Sequence, residues 1–95
     1  MAPEQQFPEI PDEFVKAHDH CTSNRSEVLA SGRCGCFCCC QTFPAMEISE
    51  WCDDQTDGVG QTALCPKCGV DSVIGDKAGL ELSSEFLTRM NAHWF

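Results

Sequence analysis

Apolar positions along the chain fall into short groups with helical or strand spacing, separated by proline, glycine and acidic stretches. Phe14, His18, Cys21, Arg25, Val28 and Leu29 recur at three- and four-residue steps, which predicts a helix from Asp12 to about Ala30, ended by Ser31-Gly32. Its apolar stripe is thin, because His18, Cys21 and Arg25 share the inward face with Phe14 and Val28. Upstream, Pro3, Pro8 and Pro11 among Glu and Gln predict a loosely docked arm over residues 1–11, anchored by Phe7 and Ile10. Pro44 suits the first turn of a second, short helix with Met46, Ile48 and Trp51 or Cys52 inward, ending at Asp53-Asp54. Residues 53–60 then read as an acidic loop. Thr62 to Leu64 and Val70 to Ile74 read as short strands flanking Cys65-Pro66-Lys67-Cys68-Gly69. A terminal helix, capped by Ser83 or Ser84, carries Phe86, Leu87, Met90 and Trp94 at helical spacing.

These elements amount to one domain, residues 12–95, since a 95-residue chain is too short for two independent cores. Apolar burial at roughly 25 cal/mol per Å² barely exceeds the chain entropy lost at this size, so a covalent or metal staple is expected. Nine cysteines supply it. Residues 1–20 show no basic start and no apolar run, which predicts neither an export signal nor a membrane span and places the chain in the cytoplasm. Thiols there stay reduced, and an odd count cannot pair fully, so metal ligation is expected over disulfides.

The spacing of the cysteines sharpens this. Cys36 and Cys39 form a C-x2-C pair within Cys34-Gly35-Cys36-Phe37-Cys38-Cys39-Cys40, and Cys65 and Cys68 form another. Two such pairs are the pattern of a four-thiolate structural site, in which each pair sits on a tight turn whose backbone N–H groups face the sulfurs. The predicted ligands are Cys36, Cys39, Cys65 and Cys68, holding one zinc ion, with iron the alternative. Gly69 fits the position after the second ligand, where a positive φ opens the turn, and Asp71 and Ser72 either hydrogen-bond near the metal or cap the turn, the cap being the simpler expectation. Cys34, Cys38 and Cys40 are surplus, either small buried apolar groups or a redox or alternative metal centre. The predicted fold is α+β, a small zinc-ribbon-like domain with two zinc knuckles, a short antiparallel hairpin or sheet and about three helices.

Other chemistry is thinner. His18 and His20 point apart on a helix, and His93 is not needed by a closed tetrahedral shell. No catalytic residue is assigned; Cys21, on the same helical face as His18, is the best candidate for a nucleophile. Asn24-Arg25 offers a carboxylate or phosphate clamp, although an internal acidic partner for Arg25 is the simpler expectation. Asp53, Asp54 and Asp57 lack the alternation and closing Glu of a calcium loop. A nuclease-like treble clef is disfavoured because a strand-like segment, not a helix, follows Cys68. The formal charge of −9, with Lys16, Arg25, Arg33, Lys67, Lys77 and Arg89 scattered singly, argues against nucleic acid and for a protein partner. Should the chain dimerise, Phe14, Cys21 and Val28 of the first helix are the expected contact.

The runs Ser31-Gly-Arg-Cys-Gly-Cys-Phe-Cys-Cys and Ala63-Leu-Cys-Pro-Lys-Cys-Gly-Val-Asp-Ser-Val-Ile-Gly-Asp, with the ending Phe86-Leu to Trp94-Phe95, resemble a family of small bacterial cytoplasmic proteins, described as uncharacterised, with a CGCFYC…ALCPYCGIDSVIG signature. The resemblance covers most of the chain from about His18 onward. It implies a cytoplasmic protein with a paired-knuckle metal site built from Cys36, Cys39, Cys65 and Cys68, and brings no activity with it. Cys34 also falls on a cysteine of that pattern, whereas Cys38 and Cys40 fall on Tyr and an apolar residue. The C-x2-C and C-P-x-C-G runs also resemble rubredoxin, which implies iron and electron transfer, but the chain has no Tyr and lacks a rubredoxin-like aromatic set. The expected role is a protein-interaction or regulatory module; the alternative is a rubredoxin-like electron carrier or a thiol-based redox protein.

Overall fold

A computed structural model describes residues 12–54 and 58–95, so the arm at 1–11, with Phe7 and Ile10, and Asp57 of the acidic loop lie outside the described residues. The first amphipathic segment is two helices rather than one: α1 (Asp12–Asp19) and α2 (Arg25–Leu29). Ser23 between them adopts φ 47°, and its N–H donates to Thr62 Oγ1 at 2.9 Å. Asn24, at the N-cap of α2, turns its side chain to other backbone groups instead. Polar side chains that find better partners than the helix ladder end helices in this way. Phe14, Cys21 and Val28 are buried nonetheless, at 4, 5 and 0 % exposure, and so are removed as an exposed dimer contact, whereas Leu29 is 61 % exposed.

The second predicted helix is also replaced. Thr42–Pro44 is a strand, β2, antiparallel to β1 (Arg33–Cys36) with Cys34 opposite Phe43. Pro44 is tolerated because it lies at the end of an edge strand, where no ladder donor is needed. A single 3-10 turn follows at Ala45–Glu47, then β3 (Trp51–Asp54), paired with β4 (Gly60–Ala63) through Cys52 and Thr62. Met46, expected inside, is 87 % exposed, while Ile48 is buried. Of the predicted 70–74 strand only Val73 and Ile74 fall in β5 (Val73–Gly75), which pairs with β1 on the side away from β2. A second 3-10 turn, Asp76–Ala78, leads towards α3 (Ser84–Trp94), whose N-cap Ser83 Oγ accepts from the Phe86 N–H at 3.1 Å.

The sheet β2-β1-β5 separates two apolar clusters. Cys34 and Cys36 point to one face with Val28, Phe43, Ile48, Ala63, Cys65 and Val73. On the other, Ile74 joins Phe14, Ala17, Cys21, Phe37, Leu87 and Met90. Alternation along β1 leaves Gly35 on this second face, where a Cβ would stand 3.1 Å from Leu87 Cδ1. The missing side chain is what lets α3 lie close on the sheet. The result is a small α+β, zinc-ribbon-like domain. Among the described residues, no helix is long and apolar enough to cross a membrane.

Candidate metal centre

Both cysteine pairs sit on turns of the same construction. In the first, the Cys36 N–H donates to Gln41 O at 3.0 Å and the Cys40 N–H returns to Cys36 O at 2.7 Å. In the second, Cys65 N–H donates to Val70 O at 3.0 Å and Gly69 N–H to Cys65 O at 2.9 Å. Amides inside each turn point at sulfur: Cys38 N to Cys36 Sγ at 3.4 Å, and Lys67 N to Cys65 Sγ at 3.3 Å. The second cysteine of each pair receives an amide too, from Gln41 for Cys39 and from Val70 for Cys68. Gly69 has the expected positive φ of 82°, and the matching position in the first turn is Cys40, with φ 61°.

The two turns bring Cys36, Cys39, Cys65 and Cys68 together, with all four sulfurs within 4.8 Å of one another. Contacts between the turns are Cys36 to Cys68 at 3.7 Å and Cys39 to Cys65 at 3.8 Å. A tetrahedral ion with metal–sulfur bonds of about 2.3 Å requires sulfur–sulfur edges of about 3.8 Å, which the two contacts between the turns match. No second group of this kind occurs among the described residues.

Electrostatics point the same way. Burial opposes ionisation of Cys36, but the Ser72 hydroxyl at 3.1 Å and the amides of Cys39 and Cys38 outweigh it and hold its pKa below the ordinary thiol value. Cys39 is pushed up to about 11, first by burial and then by the neighbouring cluster thiols, and Cys68 is pushed up as well. Cys36 therefore gives up its proton more readily than an ordinary thiol, whereas Cys39 and Cys68 resist ionisation, a resistance that a cation among the sulfurs would offset. Of the two readings of Ser72, the contact near the sulfur cluster is the one seen: it is 3 % exposed and its hydroxyl reaches Cys36 Sγ.

The remaining candidates have other work. Cys34 lies in β1 fully buried, its pKa raised to about 11 by burial and then by Asp76, and it belongs to the core and not to the sulfur cluster. Cys38 packs against the first apolar cluster and Cys40 against the second. Cys21 is only 5 % exposed, and burial, followed by Asp71, raises its pKa to about 11, both of which oppose a nucleophilic role. The His18 ring packs 4.2 Å from Trp94, His93 packs 5.1 Å from Phe14, and His20 Nδ1 meets Glu27 Oε1 at 2.8 Å. Among the described residues Arg25 clamps no carboxylate: it donates to Gly60 O at 2.8 Å and lies over Trp51.

Cys40 in the left-handed region costs about 1–3 kcal/mol that glycine would avoid. Cys40→Gly should thus keep full metal content with a melting temperature equal to or slightly above wild type, and Cys40→Val should melt lower. Loss of metal in Cys40→Gly would make Cys40 a ligand. No family model, curated protein or solved structure matches the chain.

Proposed function

We propose that the protein is a zinc-stapled binding module, with one zinc ion held by Cys36, Cys39, Cys65 and Cys68 in a structural role and a protein partner engaged by its outer surface. The observation that carries the metal assignment is the meeting of two like-built turns with sulfur spacings of 3.7 and 3.8 Å, the edge lengths of a tetrahedral ion. Four protein ligands complete the shell and leave no position for a reacting water, which supports a structural over a catalytic metal. The bound ion would supply a fixed junction between the two turns. This chain's own residues set the geometry around it: the amides of Cys38 and Lys67 orient two sulfurs, and Ser72 holds a third contact on Cys36.

A chain of −9, made more negative by about −2 once four thiolates surround a divalent ion, is best matched by a protein partner with a basic surface. Such a complex should weaken as salt is raised. The resemblance to the small bacterial cytoplasmic family supports a cytoplasmic setting for this role. Elemental analysis with native mass measurement tests the metal: one zinc per chain and a colourless protein are expected. A red protein that bleaches on reduction would replace zinc by iron and the binding module by an electron carrier, and a metal-free native protein would overturn both.

A further inference from the structure

The four sulfurs are not equivalent. Cys36 is 0 % exposed and its sulfur has donors from Cys38, Cys39 and Ser72. Cys65 is 3 % exposed, with the Lys67 amide on its sulfur. Cys39 is half-buried at the root of the first turn, against the core. Cys68 alone of the four is exposed, and its sulfur has the Val70 amide. Its surroundings are open as well: beside it, a Cβ built on Gly69 would meet no heavy atom within 4 Å, and Pro66 and Lys67 are exposed.

A metal-bound thiolate reacts through its sulfur lone pair, so attack depends on approach to that sulfur and on how much electron density hydrogen-bond donors withdraw from it. Both quantities rank Cys36 last; Cys39, Cys65 and Cys68 have one amide donor each, and among these three exposure ranks Cys68 first. We infer that Cys68 is the reactive vertex of the loaded cluster, the ligand at which soft carbon electrophiles modify this protein and open its metal site. This rests on the metal-binding reading above.

With iodoacetamide as the electrophile, the Cys68 lone pair forms the new carbon–sulfur bond while the carbon–iodine bond breaks, and iodide leaves with the bonding pair. No oxidant or reductant is needed. The thiolate's negative charge is used up, and the neutral thioether that replaces it is a poorer ligand for a divalent ion. With only three thiolates left, Cys36, Cys39 and Cys65 would hold the ion less tightly and would lose it to a competing chelator.

The experiment uses the zinc-loaded full chain, limiting iodoacetamide and a chromogenic zinc chelator, with peptide mapping at each time point. Among the four ligands, Cys68 should be alkylated about tenfold faster than the others, with zinc release tracking the Cys68 adduct one for one. Adducts on Cys38, Cys40 or Cys52 should leave zinc bound. Zinc release tracking Cys39 or Cys65 would overturn the inference; Cys65 borders a groove of about 380 Å³ shared with Glu47, Glu50 and Lys67, so it is the competing entry point. Cys68→His, whose imidazole can close the shell, should keep zinc and lose the fast release; if it loads poorly, the wild-type map still decides. A chain that takes up no metal at the outset would instead refute the metal reading itself.

Discussion

Stripping the metal at neutral pH should abolish the cooperative thermal transition of this protein, and Cys65→Ser should reproduce that loss without a chelator. Metal binding to a four-thiolate site contributes about 10–16 kcal/mol in apparent terms, as much as the whole folding stability of a small domain at about 5–15 kcal/mol. The described residues show why little would remain. The first turn ends the β1–β2 hairpin, and the second joins β4 to β5, strands that belong to different sheets. Without the ion, the sulfurs of Cys36, Cys39, Cys65 and Cys68 must stay within 4.8 Å of one another with nothing between them, Cys36 more acidic than an ordinary thiol and Cys39 and Cys68 less so. Circular dichroism on heating, with and without a strong chelator, reads the outcome. A chelated protein that still melts cooperatively within a few degrees of the loaded form would rule out a structural metal, as would Cys65→Ser with unchanged metal content. Because the thiols must lose protons to bind, metal should also leave as the solution is acidified, and the melting temperature should fall with it.

The four-cysteine cluster was legible in the sequence because its information is local: a turn that presents two sulfurs to one ion needs them three residues apart, and Cys36, Cys39, Cys65 and Cys68 show that spacing twice. The positive φ of Gly69 was legible for the same reason, since glycine announces it. Its counterpart Cys40 was hidden, because a cysteine carries no such signal and only the matching hydrogen bonds of the two turns reveal it. The break between α1 and α2 was hidden in a different way. Phe14, Cys21 and Val28 keep a spacing that one continuous helix would also satisfy, and the groups that end it, Thr62, Ala63 and Val73, lie far along the chain. β2 failed as a prediction because three residues closed by Pro44 look like a helix start until the pairing of Phe43 with Cys34 is seen. Ser72 could be suspected from its place after the second turn, but its reach to Cys36 depends on Val73 being paired with Cys36 across the β1–β5 ladder.

Replacing Asn24 should be the most damaging substitution outside the cysteines. Its side chain is 4 % exposed and fully engaged: Nδ2 donates to Val73 O at 2.8 Å and to His20 O at 2.9 Å, and Oδ1 accepts from the Ala63 N–H at 3.1 Å. Ala63 ends β4 and Val73 begins β5, and these strands pair with β3 and β1 rather than with each other. The Asn24 amide therefore takes the place of a missing ladder rung between the two strands that leave and enter the second cysteine turn. Asn24→Ala strands a buried N–H and a buried carbonyl, each costing about 1–3 kcal/mol, and removes the tie from α2 to both strands. A loss of about 3–5 kcal/mol, in a domain this size, corresponds to a fall in melting temperature of about 12 °C or more. Asn24→Asp should do no better at neutral pH, because it keeps the acceptor for Ala63 but turns a negative oxygen towards two carbonyls in a chain already at −9. Both variants should bind metal at wild-type stoichiometry when folded, since no sulfur contact is altered, so melting curves must be compared at one fixed excess of free zinc. Melting within about 3 °C of wild type for Asn24→Ala would show that β4 and β5 are held by the metal turn alone.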